Sequence, residues 1–193
     1  MHVILASASP RRAELLGSLG IAFTIKPSMI DESRLPNEAV QAYVERLAIE
    51  KAAAVKDSNT PVIIGADTTV AIGDELLGKP ETLDAAKAML SKLGGRQHEV
   101  WTGYAVFQND LLHFGCVMTK VWFRSLSSGE IARYVEKERP LDKAGAYGIQ
   151  GLGASLVERI EGSLTNVIGL PLAEISAILK GTPHASTRSK RFG

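Results

Sequence analysis

Six charged side chains on five short segments carry the chemistry open to this 193-residue chain: Arg11 and Arg12 in LASASPRR, Glu32 after SMI, Lys51 in ERLAIEKA, Asp67 in GADTTV and Lys79 in LGKP. Two carboxylates and four cations suit a metal-bound polyphosphate, because carboxylates hold a divalent ion or activate water while cations offset phosphate charge. In the opening motif the small residues Ala6, Ser7, Ala8 and Ser9 let backbone approach a ligand, the hydroxyls can donate, and the two arginines offer planar forks matched to phosphate oxygens. The same stretch also reads as an ordinary helix start with two solvated arginines. Lys51 falls inside the apolar stripe of Val40, Val44, Leu47 and Val55, so its ammonium either snorkels out or meets an anion. Asp67 ends an apolar run, where α/β folds place ligand-facing residues, although turn chemistry also puts aspartate there. The set as a whole favours phosphate chemistry over binding alone.

These residues need a scaffold of alternating strands and helices. HVILA reads as a buried strand, and Ser9 followed by Pro10 as an N-cap with proline at the first helical position, opening a helix that Gly20 stops. A helix N-terminus carries unpaired N–H groups and partial positive charge, which suits an anion beside Ser7, Arg11 and Arg12. Asn37 is expected to cap a helix to about Lys56, and Thr82 another to Gly94. PVIIGAD reads as a short strand, and TTVAIGDELLG as a hairpin turning at Gly73-Asp74, which returns Lys79 to the sheet end occupied by Asp67. Two long alternating strands follow around 97–108 and 111–124. Ser127 with Glu130 predicts a capping box on a helix to about Glu138, 154–161 a further strand, and Pro171 a last helix. The mixture predicts an α/β fold with a mixed, twisted sheet flanked by helices. A single domain over 1–181 and a loose basic tail over 182–193 complete the expected organisation.

Composition excludes several classes of function. Lys and Arg total 22 against 21 Asp and Glu, so no overall field draws the chain to nucleic acid or an anionic membrane. Aromatics are 6%, and the basic tail holds one, Phe192. Nowhere do about 18 apolar residues run together. The single cysteine, Cys116, permits no intramolecular disulfide and reads as a small core residue. A soluble, cytoplasmic protein is the expectation. The four histidines, His2, His98, His113 and His184, have no metal-site spacing, and Ser7 lies in no G-x-S-x-G elbow.

Taken in order, SASPRR, the Glu32 region, ERLAIEKA, GADTTV, LGKP, HEVWTGYAV, DKAGAYGIQG and VIGLPL resemble the Maf proteins over about residues 3–179. The resemblance implies a fold of two lobes around a central cleft, similar to the inosine triphosphate pyrophosphatases. It implies hydrolysis of a nucleoside triphosphate to the monophosphate and pyrophosphate with Mg²⁺ or Mn²⁺, in a homodimer. It makes Asp67 the proton acceptor, Glu32 and Asp67 the metal-site carboxylates, and Ser7, Arg11, Arg12, Lys51 and Lys79 the phosphate contacts. Arg11, Thr68 and Gln150 are similar to the branch acting on dTTP and UTP rather than 7-methyl-GTP, which makes them specificity positions. A glutamine amide, donor and acceptor at once, suits a pyrimidine edge without choosing one pyrimidine. A non-catalytic nucleotide-binding regulator of cell division is the alternative; it would keep the cations but would not need Asp67 and Glu32 together.

Overall fold

A computed structural model describes residues 2–56, 62–108 and 110–191. Eight strands and six helices are described: β1 (Val3–Leu5), α1 (Pro10–Gly17), β2 (Phe23–Ile25), α2 (Val40–Ala54), β3 (Val62–Ile72), β4 (Glu75–Leu77), α3 (Leu83–Leu93), β5 (Gln97–Gln108), β6 (Leu111–Phe123), α4 (Ser128–Glu138), β7 (Val157–Glu161), α5 (Leu164–Ile168), α6 (Leu172–Leu179) and β8 (Arg188–Arg191). The strands pair in the order β2-β1-β3-β5-β6-β7, with β4 beside β3 and β8 beside β6. β1 is parallel to β2 and β3, whereas β3/β4, β6/β7 and β6/β8 are antiparallel. The sheet is therefore mixed, as expected.

The local signals mostly hold. Thr82 caps α3 by accepting from the Ala85 N–H, and Ser127 with Glu130 forms the full capping box on α4. The β3–β4 hairpin turns at Gly73, which has φ 58°. Pro10 opens α1, but the Ser9 side chain makes no capping hydrogen bond. Four expectations need correction. PVIIGAD, read as a short strand ending at Asp67, forms from Val62 onward the first half of one continuous strand, β3, which runs on to Ile72 and carries Asp67 in its middle rather than at a sheet end. α2 begins at Val40 with Ala39 at the N-cap, while Asn37 sits in the preceding turn at φ 57°, a left-handed conformation asparagine tolerates well. The strand expected from 154 begins at Val157, after a short 3₁₀ segment over Gly151–Leu156. The stretch read as a loose tail contains β8, paired with Leu111–Phe114 of β6; Arg188 lies 4.6 Å from the Phe114 ring centroid, and Ser189 Oγ is 2.8 Å from His113 Nδ1. Residues 192–193 of that tail and Pro61 of PVIIGAD lie outside the described residues.

The described residues fall into two compact units. One takes Met1–Asp67, Thr102–Val117 and Gly169–Gly193; the other takes Thr68–Trp101 and Met118–Ile168. In the first unit the period-2 alternation of buried strands sorts side chains onto two faces. Val3, Leu5, Val62, Ile64 and Ala66 pack with Leu16 of α1 and with Ile175 and Ile178 of α6. Ile4, Ala6, Ile63 and Phe107 pack with Ala48 and Ala52 of α2. Half-buried Cys116 belongs to this unit, and burial followed by the nearby Glu45 pushes its thiol up to about 11, so it stays protonated. The second unit has its own core, in which Leu90 and Leu93 of α3 and Ile131 and Val135 of α4 cover Val70, Val100 and Phe123. Among the described residues no helix is long and apolar enough to cross a membrane.

Two glycines decide how closely α2 lies on its sheet face. A Cβ at Gly65 would stand 2.3 Å from the Ala48 carbonyl oxygen, and one at Gly103 would stand 2.1 Å from that of Val44. Both clashes are with backbone, which cannot rotate away. Gly103→Ala is therefore expected to lower stability by roughly 1–3 kcal/mol or more, checked by denaturant midpoint, as overpacking of a filled interior does.

Candidate active site

Asp67 follows Ile63 and Gly65 on the α2 face of β3, because side chains of alternate residues share a face. Gly65 brings α2 against the strand at Ala48 and Ala52, and Lys51 lies between those contacts. Its ammonium consequently meets Asp67: Lys51 Nζ donates to Asp67 Oδ1 at 2.6 Å. Glu32, from the segment between β2 and α2, places Oε1 2.9 Å from the same Nζ. Lys51 and Asp67 are each only 7% exposed. The choice between snorkelling and meeting an anion is settled: the lysine is buried and shared by two carboxylates.

The opening motif packs beside them within the same unit. Ser7 is buried, and its Oγ accepts from the Ser9 N–H at 3.2 Å and from Arg12 Nη1 at 3.1 Å. Arg12 Nε donates to the Gly169 carbonyl at 2.8 Å. Burial lowers the Arg12 pKa, while the Asp67 and Glu32 carboxylates raise it, which places this guanidinium in their field. Gly169 has φ 124°, a conformation open to glycine and strained for other residues, so the VIGLPL motif holds an arginine at this site. Arg11 stands next to Arg12 on the first turn of α1 and lowers its pKa further.

Thr68, Lys79 and Gln150 belong to the second unit. Thr68 follows Asp67 in β3, and Lys79 is exposed just after β4. The backbone joins two of the quoted motifs here: the Gly145 N–H donates to the Gly78 carbonyl at 3.1 Å, linking LGKP to DKAGAYGIQG. Exposed Gln150 is the N-cap of the 3₁₀ segment. The loop before it is anchored by Tyr134, whose hydroxyl accepts from the Gly148 N–H at 3.2 Å, and by Tyr147, whose hydroxyl lies 2.8 Å from His98 Nε2. A Cβ at Gly153 would fall 1.7 Å from the Gly148 carbonyl oxygen, so this loop closes only on glycine.

His98 gives that anchor a pH dependence. Burial pulls its pKa down to about 4. Between pH 6.5 and 4 the unfolded chain binds a proton that the folded protein refuses, so stability present above pH 6.5 is lost as pH falls. The loss is up to about 3 kcal/mol at 1.36 kcal/mol per pH unit. Thermal melts of wild type should show this slope, and His98→Gln, which can still donate to Tyr147, should flatten it.

Sequence reasoning missed Tyr43, Arg46 and Glu38. Tyr43 Oη donates to the Glu32 carbonyl at 2.9 Å, and its own pKa is raised by burial and then by Asp67 and Glu32. Arg46 Nε lies 2.7 Å from Glu38 Oε1. The available signal was the i,i+4 pair Arg46 and Glu50 inside ERLAIEKA, whose Nη1–Oε2 distance is 3.2 Å.

Among the described residues no three His, Cys, Asp or Glu side chains gather as a metal site. Two carboxylates converging on one ammonium are nonetheless the donor set that suits Mg²⁺, which is commonly held by one or two carboxylates together with substrate phosphates and water.

The chain has close relatives. A protein of Hahella chejuensis named dTTP/UTP pyrophosphatase is 50% identical over 183 residues, covering 93% of this chain and 91% of the relative. One of Myxococcus xanthus with the same name is 51% identical over 182 residues, covering 92% and 91%. Among solved structures, the Staphylococcus aureus Ham1 protein shares the fold with a TM-score of 0.52 at 14% identity, covering 94% of this chain and 99% of that one. Residues 2–182 match the family described as Maf-like protein, and the chain belongs to that family.

Proposed function

We propose that this protein hydrolyses dTTP and UTP to the nucleoside monophosphate and pyrophosphate, with a divalent metal ion, Mg²⁺ or Mn²⁺. The observation that carries the reading is the buried Lys51 shared by Glu32 and Asp67, in a chain about half identical to proteins named dTTP/UTP pyrophosphatase. Water attacks across the α–β phosphoanhydride, that P–O bond breaks, the leaving oxygen departs on pyrophosphate, and Asp67 takes the proton lost by the water. Glu32 and Asp67 would hold the metal ion, which would supply neutralisation of phosphate charge. Lys51 orients the two carboxylates and offsets their charge. Ser7, Arg11, Arg12 and Lys79 bind phosphate oxygens, with Arg12 held for this by Ser7 and Gly169. Arg11, Thr68 and Gln150 select the base. We further propose a cytoplasmic homodimer, to be read by light scattering on the eluting peak and by fractionation.

The test is a panel of canonical and modified nucleoside triphosphates with Mg²⁺ or Mn²⁺, scored for products. Release of pyrophosphate and monophosphate, fastest for dTTP and UTP, supports the reading. Orthophosphate and diphosphate would move attack to the terminal phosphate. Binding without turnover would favour the non-catalytic regulator.

A further inference from the structure

Glu32 is the one carboxylate of the site that no helix or strand carries. Residues 26–39, between β2 and α2, form neither, and Met29 there is 95% exposed. The Glu32 side chain itself is 45% exposed, so packing does not aim it. Its backbone, by contrast, is gripped from α2. Tyr43 Oη donates to the Glu32 carbonyl at 2.9 Å, and Arg46 Nη2 donates to the next carbonyl, Ser33, at 3.0 Å. Tyr43 and Arg46 are three residues apart, hence neighbours on one helix face, and the guanidinium carbon lies 5.7 Å from the tyrosine ring centroid.

Arg46 is itself held in place. Its Nε and Nη2 donate to Glu38 Oε1 and Oε2 at 2.7 and 2.8 Å, and Nη1 reaches Glu50. Glu38 Oε2 also accepts the Leu35 N–H at 3.1 Å, so the same carboxylate ties both ends of the turn that follows Glu32. Only a planar fork spans Glu38 and the Ser33 carbonyl at once; an ammonium would serve one or the other. Hydrogen bonding to Arg46 lowers the Glu38 pKa, so the ion pair persists into acid.

We infer that Arg46, with Tyr43 and Glu38, is a positioning unit for the reaction: it holds two consecutive carbonyls so that the Glu32 carboxylate faces Lys51 and Asp67. The inference rests on the role proposed above for Glu32. Its substrate-independent consequence is that an apo protein without the fork should lose order at residues 31–36 and bind metal more weakly.

The experiment uses the full chain with Arg46→Lys, Tyr43→Phe, Glu32→Gln and the double variant Glu32→Gln/Arg46→Lys. Amide exchange by mass spectrometry, Mn²⁺ affinity without substrate by electron paramagnetic resonance, and kcat/KM for dTTP are read on each. Arg46→Lys is expected to speed exchange over 31–36, weaken Mn²⁺ binding and lower kcat/KM, each by about tenfold, the scale of one lost charge-assisted hydrogen bond. Tyr43→Phe should act in the same direction with a smaller loss. In the Glu32→Gln background Arg46→Lys should change kcat/KM by less than about twofold, since a positioning residue has nothing left to position. Wild-type kcat/KM in both Arg46→Lys and Tyr43→Phe beside an impaired Glu32→Gln would overturn the positioning role alone. Losses that multiply in the double variant would also overturn it, by showing that Arg46 acts on stability rather than through Glu32. Wild-type activity of Glu32→Gln would remove Glu32 from the proposed function and the inference with it.

Discussion

Asp67→Asn is expected to lower kcat for dTTP by on the order of 10²-fold or more, the usual size of a general-base effect, with the fold unchanged. The amide is isosteric with the carboxylate, and its oxygen can still accept from Lys51, which keeps its second partner in Glu32. No cavity opens, and the buried ammonium is not stranded. What disappears is the ability to take a proton and one negative charge. The substitution thus separates chemistry from architecture. It should be read as single-turnover rate at saturating metal beside a thermal melt. Turnover near wild type in a folded protein would take Asp67 out of the mechanism.

Lys51→Met should be more damaging, because it strikes both activity and stability. The thioether fills the space of the stem, yet two carboxylates then face one another without their cation, and Asp67 is 7% exposed. Stranding one member of a buried pair costs about 3–5 kcal/mol. Melting temperature should fall at neutral pH. Added Mn²⁺ should raise the melting temperature of Lys51→Met more than that of wild type, because the ion meets no competing ammonium. Turnover is expected to fall by at least tenfold even where Mn²⁺ restores the fold, since Lys51 no longer orients Asp67 and Glu32. A variant as stable as wild type, with equal kcat/KM and no added response to Mn²⁺, would return Lys51 to an ordinary packed side chain.

Much of the scaffold was legible because its signals are local. Thr82, the Ser127–Glu130 box and Gly73-Asp74 are settled by hydrogen bonds and dihedrals within four residues, so their residue types suffice. The errors lie where partners come from afar. β2 is three residues long and exists because Phe23–Ile25 align with Val3–Leu5, a pairing no three-residue window contains. β8 reads RSKR, a composition that argues against a strand, yet the β6 ladder and the Phe114 ring supply what its own residues lack. Asn37 carries the right side chain for a cap and the wrong backbone, since φ 57° belongs to the turn before α2.

The candidate site divides the same way. Residue types and order, together with the family resemblance, named Ser7, Arg11, Arg12, Glu32, Lys51, Asp67 and Lys79 as candidates, because a polyphosphate would demand clustered cations and a metal would demand hard oxygens. They left Lys51 undecided between solvent and an anion, and were silent on Arg46, Tyr43 and Gly169. Those outcomes depend on how closely α2 approaches β3, on the left-handed backbone at Gly169, and on which carbonyls of a coil segment come within reach of a helix. A side chain's type states what it can bind. Whether it meets that partner depends on distances between segments far apart in the chain, and here glycines without a Cβ and a fork long enough to span two acceptors set those distances only once the fold has closed.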